Sequence, residues 1–160
     1  MRIEININYQ TLDIINKNQD KIKSYQISSG KNGVGQDQGS FCTPLGKHII
    51  RAKIGAGLPI NTIFIGRRPT GEIFSPTFEK KFRGRDWILT RILWLSGCEL
   101  GFNRLGKVDT MRRYIYIHGS PDSIEIGRPG SNGCIRMLNA DLLELFDLID
   151  IGTEVSIKKK

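Results

Sequence analysis

Apolar and polar positions alternate from the first residues onward: Ile3, Ile5 and Ile7 are separated by Glu4 and Asn6, the period of a strand with one buried face. The polar Asn8-Tyr9-Gln10 leads into a second short apolar run, Leu12 to Ile15, and the two runs read as a hairpin. Asn16-Lys17-Asn18-Gln19-Asp20 is turn chemistry, after which Ile22 to Ile27 returns as a third strand. Between Ser28 and Ser40, Gly30, Gly33, Gly35 and Gly39 interrupt any period, so a loop is expected. Past the Thr43-Pro44 turn, Lys47 to Lys53 and Thr62 to Ile65 read as strands, separated by Gly55-Ala56-Gly57-Leu58-Pro59. Pro69 to Arg85 is rich in Gly, Pro and charge and has no clear period, which suggests a lid or insertion. Trp87 to Leu95 is almost continuously apolar, as a central strand buried on both faces would be, and Gly97 ends it. A further alternating run, Tyr114-Ile115-Tyr116-Ile117, closes on His118 where the strand gives way to Gly119. Asn139 can cap a helix whose Leu142, Leu145, Phe146 and Ile149 recur at helical spacing, with Gly152 ending it and Thr153 to Ile157 adding a last strand.

Strands outnumber helices. The expected fold is therefore mainly β, a β-sandwich or partly closed barrel with one or two helices, formed by residues 1–160 as a single domain. The 39% hydrophobic and 25% charged residues are ordinary for a globular chain. No window approaches the roughly 18 unbroken apolar residues of a membrane helix, and the alternating N-terminus offers no apolar signal segment. The cytoplasm is the expected compartment, or the cell envelope if a signal has been removed. Cys42, Cys98 and Cys134 form no CxxC pair, which points to neither a disulfide framework nor a thiolate-rich zinc site. A net charge of +8 comes from scattered Lys and Arg, whose only run is Lys158-Lys159-Lys160. With no helix-turn-helix, zinc-finger or RNP-like pattern, no nucleic-acid partner is expected, and a basic groove suits carboxylate-bearing substrates equally well. The glycines before Ser40 lack a following GK[ST], so a phosphate loop is not indicated.

The chemistry concentrates in Ile117-His118-Gly119-Ser120 and Ser131-Asn132-Gly133-Cys134-Ile135-Arg136-Met137. A cysteine preceded sixteen positions earlier by a histidine and followed two positions later by an arginine supplies a nucleophile, a base and an anion-holding cation. A free thiol titrates near about 8.5, and a neighbouring imidazole can lower that value. On this reading Cys134 attacks and His118 is the base, its other ring nitrogen held by a backbone carbonyl such as that of Gly119. The amides around Gly133 and Cys134 would face an oxyanion, and Arg136 would hold the same oxyanion or a substrate carboxylate. The competing reading of Arg136 is an ion pair that fixes its loop. Ser96-Gly97-Cys98 is a weaker rival that lacks the arginine. His48, in the apolar run Lys47 to Ile50, reads as a sheet-face residue, and Cys42 as packing.

HGS followed by SNGCIRM resembles the signature of the L,D-transpeptidase (YkuD-type) catalytic domain, HGT followed after a loop by SHGCIRM. Thr43-Pro44-Leu45-Gly46 and Gly152-Thr153-Glu154-Val155 resemble that family's TPxG turn and closing GTxV strand. Two departures are Ser120, where threonine is common, and Asn132, where many members carry a second histidine; Asn132 is then a lining residue beside Ser131. The resemblance implies the same sheet-built fold. No metal or cofactor is expected, because two histidines and no clustered carboxylates give no plausible metal shell. It implies peptidoglycan stem tetrapeptides or muropeptides as substrates, cleaved between the third-residue diamino acid and terminal D-Ala through a thioester on Cys134. The missing signal segment turns the expectation toward L,D-carboxypeptidase hydrolysis rather than 3-3 cross-linking by transpeptidation. A non-catalytic module that binds stem peptides is the reading from another class.

Overall fold

The computed structural model describes residues 1–160. Its strands are β1 (Arg2–Asn6), β2 (Thr11–Ile15), β3 (Lys21–Ser28), β4 (Gly46–Ile54), β5 (Thr62–Ile65), β6 (Arg68–Ile73), β7 (Ile88–Gly97), β8 (Tyr116–Gly119), β9 (Ile135–Met137) and β10 (Glu154–Lys158), with helices α1 (Pro76–Lys81) and α2 (Asn139–Leu148). The strands follow the order β4-β10-β1-β2-β3-β9-β8-β7-β5-β6, and an additional pairing of β4 with β7 closes the first eight into a ring. The eight-stranded ring is thus closed, and β6 is left as the free edge of the sheet. β7 makes the closure possible by its length: residues 92–97 pair with β4, residues 89–94 with β8, and Ile88 and Leu89 with β5, so the β5–β6 hairpin hangs off the ring.

The alternation seen in the sequence is the alternation between the two faces of this ring. Ile3, Ile5, Leu12, Ile14, Ile27, Ile50, Leu93, Leu95, Ile117, Ile135 and Met137 point inward and form one core with Leu142, Leu145 and Phe146 of α2. Each such side chain contributes about 1.5–3 kcal/mol by leaving water. A second, small cluster of Ile63, Trp87 and Leu89, joined by Phe74 and Phe78, lies under the segment that carries α1. No helix is long and apolar enough to cross a membrane.

Three local expectations change. Residues 69–85 contain a strand and a short helix, but every residue of β6 is exposed and α1 buries none, so no apolar period marks either. The α2 N-cap is Leu138, with no side-chain cap; Asn139 is already helical and turns its amide elsewhere. The helix also ends at Leu148, before Gly152, because Ile149 turns extended and is buried in the core.

Candidate active site

β8 and β9 run parallel, with Ile117 opposite Ile135 and His118 opposite Arg136. Parallel neighbours need a long return connection, which is what the loop between Gly119 and Ile135 provides and why His118 and Cys134 stand so far apart in sequence. Ile117, Ile135 and Met137 face the core, so by the period of a strand Tyr116, His118, Cys134 and Arg136 share the opposite face. There Cys134 packs beside Phe64, Ile92 and Tyr116.

β8 continues through Gly119, and His118, expected to emerge at a strand end, is fully buried. Its Nδ1 donates to the Gly119 carbonyl at 2.6 Å. A carbonyl only accepts, so in the neutral ring Nε2 carries the free lone pair. Nε2 is buried without a hydrogen-bond partner. Burial pushes the His118 pKa down, opposed by the Asp86 carboxylate and the Gly119 hydrogen bond.

Cys134 Sγ accepts from the Tyr116 amide at 3.3 Å and donates to the Tyr114 carbonyl at 3.4 Å. Burial pushes its pKa up to about 12; the Tyr116 amide, Arg136 and Arg113 lower it only in part, and Asp86 raises it further. A thiol whose pKa is raised and an imidazole whose pKa is lowered therefore sit on one face.

The loop before β9 is held from several sides. Ser131 Oγ donates to the Cys134 carbonyl and accepts from the Gly133 amide at 3.1 Å, so one of the two amides expected to meet an oxyanion is already engaged. Gly133 has φ +117°, and a Cβ there would lie 2.9 Å from the Cys42 carbonyl; glycine is required on both counts. Thr43 Oγ1 donates to the Gly133 carbonyl at 2.9 Å, and Arg113 donates to the Cys42 carbonyl at 2.7 Å. Cys42 and its turn thus wall the candidate nucleophile loop as well as packing. Asn132 lines an open pocket with Phe41, Arg112 and Tyr114.

Arg136 shows the ion-pair arrangement: Nη2 meets Asp86 at 2.7 Å and Nη1 donates to the Gly130 carbonyl at 3.1 Å, while Nε is buried with no partner. Asp86 and Asn139 were missed from sequence. Asn139 Nδ2 donates to the Ser120 carbonyl at 2.9 Å, and its Oδ1 accepts from Thr90 at 2.6 Å. It stands so close to Gly119 that any side chain at 119 would collide with it and with the Leu89 carbonyl. The signal available was only an amide two positions past Met137, which composition reads as a helix cap.

Cys98 is exposed, and although His48 pairs with Gly97 beside it, both His48 nitrogens are engaged, by the Gly46 carbonyl at 3.0 Å and Thr110 Oγ1 at 2.9 Å. The rival cysteine has no free base there. Burial lowers the His48 pKa to about 4. Between about 4 and 6.5 the unfolded chain binds a proton that the folded one does not, so stability falls as pH drops through that window and levels off below it, by up to about 3 kcal/mol. Melting temperatures from pH 7 to 4 are expected to fall less steeply in His48→Gln than in the parent.

The chain superposes over 98% of its length on an L,D-transpeptidase from Xylanimonas cellulosilytica, with a TM-score of 0.56 and 20% identity. An L,D-transpeptidase from Mycobacterium smegmatis gives a TM-score of 0.56 at 16% identity over 98% of the chain. At these identities the likeness is one of fold, and the chain spans 59% and 57% of those two proteins. The chain belongs to the YkuD family, the L,D-transpeptidase catalytic domain, whose model matches residues 1–157. Among named relatives, YkuD of Bacillus licheniformis is 46% identical over 46 residues, which are 29% of this chain and 28% of that protein. YqjB of Bacillus subtilis is 41% identical over 58 residues, 36% of this chain and 31% of that protein. Both names place their proteins among the L,D-transpeptidases.

Proposed function

We propose that the chain is an acyl-transfer enzyme acting on peptidoglycan stem tetrapeptides at the bond between the third-residue diamino acid and terminal D-Ala. The observation that carries this reading is the buried, unpartnered Nε2 of His118 on the same sheet face as the Cys134 thiol. Burial raises the thiol pKa, so the thiol acts with the base rather than as a preformed thiolate. Rotation of Sγ away from Tyr114 brings its proton to His118 Nε2 as sulfur attacks the carbonyl. The oxyanion faces the Cys134 amide, since Ser131 occupies that of Gly133. Collapse breaks the C–N bond, the D-Ala amine leaves with the proton held by His118, and a thioester remains.

The acceptor gives its proton to His118 and displaces sulfur. With water as the acceptor the reaction is a hydrolysis that releases D-Ala. Tetrapeptide monomer is expected to yield tripeptide and D-Ala with little dimer, followed by mass analysis. Dimer as the main product would replace hydrolysis with 3-3 cross-linking, and absence of any Cys134 acyl adduct or product would leave a stem-peptide-binding module.

A further inference from the structure

The Arg136–Asp86 contact is incomplete in a way that points to a second carboxylate. A guanidinium presents Nε and Nη2 as one edge that matches both oxygens of a carboxylate. Asp86 takes Nη2 alone, through Oδ1 at 2.7 Å, and Nε stays buried with no partner. An unmade hydrogen bond on a buried cation is costly, so the pair as it stands leaves this edge half used. Asp86 is also held loosely. Its side chain is 31% exposed, and the segment before it rests on the small cluster of Trp87, Phe74 and Phe78 rather than on the barrel core. The neighbours Lys80, Lys81, Arg83 and Arg85 make Asp86 the single acid of residues 80–86, a surface that draws anions toward the site.

We propose that the Nε–Nη2 edge of Arg136 is a subsite for a free carboxylate and that Asp86 is its built-in competitor. An incoming carboxylate takes both nitrogens, releases Asp86 to water and uncovers the face that carries the thiol. Arg136 lies two residues beyond Cys134 on the same face, so the subsite accepts a carboxylate close to the attacked carbonyl. Resting on the function proposed above, this makes the terminal carboxylate of D-Ala the recognised group, and a substrate amidated there a poor one.

The test titrates N-acetyl-D-alanine and its C-terminal amide into the parent and Asp86→Asn, followed by NMR shifts. Asp86→Asn is expected to bind the carboxylate at least about fivefold more tightly than the parent, the scale of one released ion pair, and the amide no better. Glu79→Gln removes a carboxylate from the same segment that bonds Ser123 instead of Arg136 and is expected to leave the affinity unchanged. Adding Arg136→Gln to Asp86→Asn is expected to abolish the gain. Equal affinities in parent and Asp86→Asn, an equal gain for the amide, or no saturable binding in either protein would overturn the proposal; if Asp86→Asn fails to fold, Asp86→Ser carries the same comparison. Loss of tetrapeptide turnover alone would sink the proposed reaction and leave the titration standing.

Discussion

Cys134→Ala is expected to remove turnover of tetrapeptide below detection, while Cys42→Ala and Cys98→Ala each retain at least about a tenth of it. The difference follows from where each thiol sits. Cys134 alone shares a sheet face with an imidazole whose Nε2 is free. Cys98 neighbours an imidazole with both nitrogens engaged. The Cys42 thiol faces the carbonyls of Asn32 and Ser40, so its removal disturbs the wall of the loop and not the chemistry. Initial rates with matched circular dichroism spectra check this; loss of activity in a folded Cys98→Ala protein would move the nucleophile there.

His118→Gln is expected to lower turnover by about 10²–10⁴-fold at pH 7, the usual worth of a positioned base, and to change the pH profile as well. In the parent, burial keeps the imidazole neutral to pH values below its ordinary 6.5, so the base form persists and the acid limb of kcat/KM falls below 6.5. In the variant only thiolate can attack, and with the thiol pKa near 12 that species grows about tenfold per pH unit across the alkaline range. Residual activity should therefore climb steadily from pH 7 to 10 instead of levelling. A variant with a plateau near pH 8.5 would mean that the thiol is ordinary. Iodoacetamide labelling of the parent at Cys134 gives the same reading without substrate: it should be slow at pH 7 and still rising at pH 10.

The parts legible in sequence are those whose partners do not matter to the pattern. Ile3 and Ile5, or Leu142, Leu145 and Phe146, declare a buried face by spacing alone, and the structure buries them together. His118, Cys134 and Arg136 were legible as a set because the motif is local, and the parallel register explains its two halves. Their surroundings were not legible. Asp86 reaches Arg136 across fifty positions, and no period or spacing announces such a contact. Asn139 fits the composition of a helix cap, yet its amide bonds Ser120 and Thr90, a choice that only tertiary packing decides. Burial around the thiol was not legible either, since motif logic names the neighbour of a cysteine and says nothing about the packing that raises its pKa.

The place of β10 in the ring has a kinetic meaning. The latest strand in the chain lies between two much earlier ones, parallel to β1 and antiparallel to β4. Until residues 154–158 have been made, β1 and β4 each present an unpaired edge, the kind of edge that recruits other chains. Contacts of such large sequence separation carry a high entropic cost before they return anything, and they slow folding. The barrel therefore stays open until residues 154–158 have been made, and exposure to aggregation is greatest while those two edges lack their partner.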